Sequence, residues 1–285
     1  MIHKTAIPIC VICVLSGCGS RNDDSHVVVR DEKPSRAHVT PTQTTIHELL
    51  GQAIDTLGGN AALERLKTCR ITYRDRSEVP AWAGKAGDAF KGVVIEDYFK
   101  YPDKLHRTVT RASDGVALFV SVVNGQNTWT REPGKAVVSL SQAVGRDAAW
   151  PPEFQRLYSL SEWREKNEGN LSVGDAETID GQRCDCIVVM SAGKPIGRVY
   201  LDPLTHYVKK DLKYNFPDYS NPPTSLNHLA TVETTSSDYK NFDGVIVATH
   251  VVVVQGGRKL SETELLHIEF LKTIDEHLFD KPLIQ

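Results

Sequence analysis

The sequence predicts a mainly β fold of the α+β class, a curled antiparallel half-barrel of about 11–12 strands with helices plugging its concave face. Two observations predict it. Beyond residue 68, short segments of alternating apolar and polar residues are separated by turn signals such as Asn124-Gly125 and Asp243-Gly244, which is typical of hairpins in series. A sheet of so many strands curls, so its apolar concave face needs a cover.

The cover is expected from two helical regions. Thr45 and Glu48 form a capping-box pair ahead of an apolar stripe at helical spacing, so a helix is expected over 46–57. Asn60 is expected to cap a second, short helix. The segment 140–163 is also amphipathic, and it is expected to pack as short helices against the concave face.

The strands are predicted from alternation and from the turns between them. Even-numbered residues from Val208 to Phe216 are expected on one face. The strand from Val245 to Val254 is apolar on both faces apart from Thr249 and His250, so it should be central. The predicted strands lie near residues 69–77, 90–99, 104–111, 116–123, 127–132, 171–179, 183–191, 197–202, 207–216, 228–242, 245–255 and 259–271.

The first residues read as a signal for export: a basic start, an apolar run and a small-residue processing site. The run is far shorter than the roughly 20 residues of a membrane-spanning helix. Its end, Leu15-Ser16-Gly17-Cys18, resembles the lipobox of bacterial lipoproteins. The resemblance implies that Cys18 is lipidated, as with palmitate, and becomes the first residue of the mature chain.

Three regions follow from this interpretation. Residues 1–17 are expected to be a lipoprotein signal peptide, 18–44 a lipidated flexible tether and 45–285 a single half-barrel domain. The tether is polar and poor in aromatic residues, so it cannot bury enough apolar surface to fold. The expected location is the cell envelope, on the outer membrane facing the periplasm, because Gly19 rather than an aspartate follows the lipidated cysteine.

The charge balance limits the classes of partner. The chain carries 33 basic and 36 acidic residues, for a net charge of −3. Nucleic-acid binding is therefore not expected, and membrane attachment should depend on the lipid of Cys18. Behind the signal, Cys69, Cys184 and Cys186 remain. A bridge from Cys69 to one of the other two and three buried thiols are both open alternatives.

Catalytic and metal-binding patterns are weak. Cys184 and Cys186 would share one face of a strand, where packing is favoured over zinc binding. An alternative hydrolase would need convergence of three histidines, His106, His250 and His267. Strand carboxylates are interpreted as lying on a solvated face, namely Asp97, Glu262, Glu264 and Glu269. We therefore expect no enzyme, no cofactor and no bound metal.

Apolar pockets are the usual ligand sites of small-molecule binding proteins. Several large side chains are candidates for lining a cavity in the half-barrel, although core packing is the alternative for each of them. They are Trp82, Trp129, Trp150, Phe154, Trp163, Leu212 and Tyr214. The expected ligand is a lipid, an acyl chain or a lipidated protein.

Helix and turn motifs along the chain resemble one family. Residues 53–59 followed by 62–67 resemble the N-terminal helix pair of the outer-membrane lipoprotein-sorting proteins, relatives of the Lol-type carriers (LolA and LolB). Further similar segments are 101–104, 124–129, 200–205, 237–245, Phe279 and Pro282. The resemblance implies a membrane-anchored lipoprotein that binds an apolar ligand in its half-barrel, in lipoprotein or lipid trafficking. The alternative is an envelope sensor or scaffold that binds a protein partner through the same fold.

Overall fold

The computed structural model describes residues 45–76, 92–140, 159–160, 162–164, 170–217 and 229–282. Two helices precede thirteen strands, and a short 3₁₀ helix follows them. In chain order the elements are α1 (Ile46–Thr56), α2 (Gly59–Leu66), β1 (Thr68–Asp75), β2 (Val93–Lys100), β3 (Lys104–Arg111), β4 (Ala117–Asn124), β5 (Asn127–Arg131), β6 (Val138–Leu140), β7 (Leu171–Ile179), β8 (Gln182–Ser191), β9 (Lys194–Leu201), β10 (Val208–Pro217), β11 (Leu229–Phe242), β12 (Val245–Gln255), β13 (Arg258–Phe270) and the 3₁₀ helix Glu276–Phe279. Within these ranges, a helix with the length and apolar character to cross a bilayer is not found.

The first helix begins as the capping-box pair predicts. The backbone N–H of Thr45 donates to Glu48 Oε2 at 2.7 Å, and that of Glu48 donates to Thr45 Oγ1 at 3.2 Å. The prediction that Asn60 caps the second helix is wrong, because α2 already begins at Gly59. Its N-cap is Gly58, at a φ of 109° that favours glycine, and Asn60 lies within the helix, where its side chain accepts from Arg164 at 2.6 Å.

All thirteen strands form one antiparallel sheet, in the order β6-β5-β4-β3-β2-β1-β13-β12-β11-β10-β9-β8-β7. Two meanders of neighbouring strands therefore meet where the first strand of the chain pairs with the last. That pairing runs from Cys69 opposite Phe270 to Asp75 opposite Thr263. The order is linear, so the sheet is open, with β6 and β7 at its two edges.

The sheet curls around the helices. One apolar cluster joins Leu50 and Ile54 of α1 to Val123 of β4 and also to Ile187 of β8. Laid flat, thirteen strands would be about 58 Å wide, whereas a helix is only about 10 Å across. One helix can therefore contact both halves only if the sheet curls. The predicted half-barrel is confirmed, with thirteen strands in place of 11–12.

The sequence did not predict strand β6, because Val138–Leu140 is too short for an alternation to show. It forms by antiparallel pairing with the edge of β5, where Thr128 lies opposite Leu140.

Of the amphipathic segment 140–163, residues 159–160 and 162–163 are described as helical, and Leu160 is fully buried in the cluster beneath α1.

Candidate ligand-binding face

We define the inner face of the sheet as the one that carries the helices, and the outer face as the opposite one. Close to α1, the inner face is apolar and drawn from many strands. Its buried side chains include Cys69, Ile71, Phe99, Leu105, Val109, Val199, Leu201, Val208, Val245, Val247 and Ile268. These side chains form one apolar surface that draws on both halves of the sheet.

The helix pair covers this surface mainly through apolar side chains. Its buried residues are Leu49, Leu50, Ala53, Ile54, Leu57, Ala62, Leu63 and Leu66. The polar contacts described between the pair and the sheet are made by the C-terminal end of α1 and by α2. The backbone N–H of Ile246 donates to the Leu57 carbonyl at 3.0 Å, the Arg65 guanidinium donates to the Asp243 carbonyl, and the Cys69 thiol donates to the Leu66 carbonyl at 3.3 Å. Arg65 also lies over the ring of Phe270, 4.2 Å from its centroid.

A third piece of cover comes from the helical residues near Trp163. This side chain is half-buried and packs against the inner apolar cluster. The hydroxyl of Tyr101 donates to Glu162 Oε1 at 3.1 Å, which ties this piece to the turn between β2 and β3. Trp163 therefore lies on the inner side of the sheet.

The inner face also carries a buried ion pair, between Asp97 of β2 and Arg107 of β3. Arg107 Nε donates to Asp97 Oδ1 at 2.8 Å and Nη2 donates to Oδ2 at 2.7 Å. The hydroxyl of Tyr73 on β1 donates to Oδ2 at 3.1 Å. Burial alone would lower the pKa of Arg107, but the charge of Asp97 raises that pKa above its ordinary value. Arg107 therefore stays protonated.

The interpretation of Asp97 as a solvated residue is wrong, since its side chain is 0% exposed. The sequence held a signal for this. Asp97 has the same parity as Ile95 and Phe99, and Arg107 the same parity as Leu105 across the hairpin, so both charges had to share the apolar face. The other carboxylates considered with it, Glu262, Glu264 and Glu269, are on the outer face, as expected.

Away from the helices, the inner face becomes a mixture of valines and hydroxyl groups. On β11 and β12 it presents Thr234, Ser236 and Thr249 beside Val251 and Val253, all of them buried. With the Asp97–Arg107 pair, these groups make the inner face amphipathic. An elongated ligand with an apolar part and a polar part would match it from the helix end outward.

Of the remaining ligand-lining candidates, the three that the structure describes are not on this face. Trp129 lies opposite Val122, the neighbour of inner-face Val123, so it is on the outer face. Leu212 and Tyr214 have the same parity on β10, and Leu212 packs in an outer-face cluster. Trp82, Trp150 and Phe154 lie outside the described residues.

The prediction that one face of β10 carries both Val208 and Leu212 is wrong. Val208 and Leu212 were expected on one face, but a register shift between Val208 and Lys210 turns the strand. Val208 therefore joins the inner cluster, and Leu212 packs outside. The buried members of the outer cluster are Ile179, Cys184, Cys186 and Tyr200.

The three cysteines are free and buried. Cys69 lies in the inner cluster and the other two lie in the outer one, so of the two alternatives the structure shows three buried thiols. Burial raises the pKa of Cys69 and raises the pKa of Cys186 to about 11. Among the described residues, His, Cys, Asp and Glu side chains form no group of three or more that could hold a metal ion.

The histidines of the hydrolase alternative do not converge. His106 on β3 is four strands from His250 on β12, a separation of about 19 Å. His267 is on the neighbouring strand, but it is Glu264, three residues away, that lies opposite His250. These three side chains therefore cannot serve one catalytic centre.

Comparison with known proteins finds similarity in structure. No protein-family model and no curated protein matches the sequence. A LolA superfamily protein from Nitrosomonas europaea is similar at 12% identity and a TM-score of 0.48, over 84% of this chain and 98% of that one. A domain assigned to the outer membrane lipoprotein-sorting proteins, from Vibrio parahaemolyticus, is similar at 15% identity and a TM-score of 0.47, over 81% and 96%. A DUF1329 family protein from Desulfovibrio piger is similar at 11% identity and a TM-score of 0.49, over 85% and 99%.

The likeness concerns the path of the chain and carries no statement about a ligand. Any function has to be argued from the inner and outer faces of this molecule.

Proposed function

We propose that the protein is a membrane-anchored lipoprotein of the cell envelope that binds an acyl chain, or a protein carrying one, on the inner face of its half-barrel. The observation that carries the proposal is the apolar inner surface, which draws on both halves of the sheet and is covered by a separate helix pair. The polar links described between that pair and the sheet are made by the C-terminal end of α1 and by α2. A ligand can therefore take the place of the α1 stripe while α2 stays attached.

We predict that the purified protein carries acyl species. Organic extraction followed by mass spectrometry should recover fatty acyl chains in a fixed molar ratio to protein, because displaced helix contacts are replaced by equivalent apolar contacts. The sample should be a Cys18→Ala form without the signal, so that the anchor itself adds no lipid. A clean extract from a protein that captures an envelope protein would instead favour the sensor alternative.

Two neighbouring residues of β12 offer a matched pair for this test. Val251 is on the inner face and 5% exposed, whereas Val252 is on the outer face. Val251→Phe should lower the recovered acyl content by filling space on the ligand face, and Val252→Phe should leave it unchanged. Equal acyl content in both variants, with both folded by circular dichroism, would rule out the inner face as the site.

The anchor is a separate part of the proposal. We expect Cys18→Ala in the full chain to remain uncleaved or to lose its lipid, because the thiol of Cys18 is the group proposed to carry the lipid. The mature mass and the partition between membrane and soluble fractions measure this directly. Cys69→Ala, which removes a buried thiol, is the control. An unchanged mass and membrane partition of the Cys18 variant would contradict the anchor.

A further inference from the structure

Three polar side chains on neighbouring strands lie in contact on the outer face: Ser237 of β11, His250 of β12 and Glu262 of β13. Ser237 Oγ lies 3.2 Å from His250 Nδ1, and His250 Nε2 lies 3.1 Å from Glu262 Oε1. These are the distances at which a nucleophile contacts its base and a carboxylate orients that base. The three residues are on the face opposite to the ligand face, since Val251, next to His250, points inward.

The carboxylate fixes the tautomer of the imidazole. An ionised carboxylate only accepts hydrogen bonds, so Nε2 carries the proton and Nδ1 presents its lone pair to the Ser237 hydroxyl. Glu262 is held in the ionised form, because hydrogen bonds from Lys259 and His250 lower its pKa. Lys259 Nζ contacts the second carboxylate oxygen at 2.6 Å. Lys259 thus holds Glu262 in place, and Glu262 in turn orients the His250 imidazole toward Ser237.

The site borders a surface depression of about 600 Å³ that His250 and Glu262 help to line. Ser237 is exposed, and the imidazole is 36% exposed, so a small molecule can reach both. Two cationic side chains, Arg76 and Lys240, line the same depression. Arg76 also lies 3.4 Å from Glu264. These cations can stabilise negative charge that develops on a bound carbonyl oxygen.

We propose that Ser237 is an activated nucleophile that accepts the acyl group of small carboxylic esters, with His250 as its base and Glu262 as the orienting group. The activity is independent of the binding function proposed for the inner face. Ser237 Oγ bonds to the ester carbonyl carbon while its proton passes to His250 Nδ1. The ester C–O bond then breaks, and the departing alcohol takes that proton. Water attacks the acyl-serine, its proton passes through Nδ1 back to Ser237 Oγ, and the free acid leaves.

The test uses two probes on the folded protein. A fluorophosphonate should add one adduct at Ser237, located by peptide mass spectrometry, and the adduct should be lost when the protein is unfolded first. With p-nitrophenyl acetate, Ser237→Ala and His250→Asn should each lower the protein-dependent rate on the order of 100-fold, and Glu262→Gln should lower it partially. Thr235→Val, which removes a hydroxyl two residues away on the same face, should not change either readout.

Two results would overturn the proposal. One is the absence of an adduct at Ser237 in the folded wild type. The other is turnover of the ester by Ser237→Ala at the wild-type rate. Circular dichroism of each variant identifies any loss of activity that comes from unfolding, and the labelling of the wild type decides the question without a variant.

Discussion

Asp97→Ala should lower the free energy of unfolding by about 3–5 kcal/mol, the usual cost of removing one partner of a buried ion pair. The change leaves the Arg107 guanidinium, whose side chain is only 18% exposed, without the carboxylate that accepts two of its hydrogen bonds. It also takes away the acceptor of the Tyr73 hydroxyl. Urea denaturation followed by circular dichroism measures the loss.

A double variant separates charge from packing in this prediction. Asp97→Leu combined with Arg107→Met removes both charges and keeps apolar volume, so most of the stability should return. The surface comparison is Glu264→Ala on the outer face, where the ion pair with Arg74 is 38–44% exposed and should contribute under about 1 kcal/mol. If Asp97→Ala were no more destabilising than Glu264→Ala, the buried ion pair would contribute no more to the free energy of unfolding than a surface pair.

The second large effect is expected at Gly58, between the two helices. Gly58→Ala should destabilise the fold by about 2–4 kcal/mol, because it combines a strained backbone with a steric clash. The residue has a φ of 109°, and an added Cβ would lie 2.2 Å from the carbonyl oxygen of Gly244. The helix pair would then have to move away from the β11–β12 turn. Thermal unfolding monitored by circular dichroism measures the effect.

The matched control is the glycine inside α1. Gly51 has helical neighbours and open space around the position of a Cβ, with nothing within 4 Å. Gly51→Ala should therefore stabilise the protein by roughly 0.5–1 kcal/mol, since alanine favours a helix interior. Opposite signs at the two positions are the expected result. A neutral Gly58→Ala would mean that the helix pair is not held closely against the Gly244 turn.

Much of the fold follows from local sequence. The capping pair of Thr45 and Glu48 gives the start of α1, and turns such as Asn124-Gly125 separate the predicted strands at nearly the observed positions. The face on which a side chain lies is predicted correctly only where the strand has no register shift. The register shift after Val208 reverses the face of β10, and a shift of one residue leaves no trace in the pattern of apolar residues.

The polar groups of the two faces are harder to predict from the sequence, because their contacts depend on which strands are neighbours. Asp97 and Arg107 are joined by a short hairpin, so their shared parity could have revealed them. Ser237, His250 and Glu262 are brought together only by the register of three strands. Histidine content alone favoured a grouping with His106, which the strand order places far away.

The pairing of β1 with β13 has a consequence for the timing of folding. The hairpins within each meander join residues that are close in the chain, whereas this seam joins Cys69 to Phe270. Closing so long a loop has a large entropic cost before any contact compensates for it, so the seam is expected to form late. The α1 helix precedes the sheet in the chain, yet β13, which joins the two halves beneath it, is the last strand of the sheet. The two halves of the apolar centre are therefore expected to come together only after the hairpins of each meander have formed.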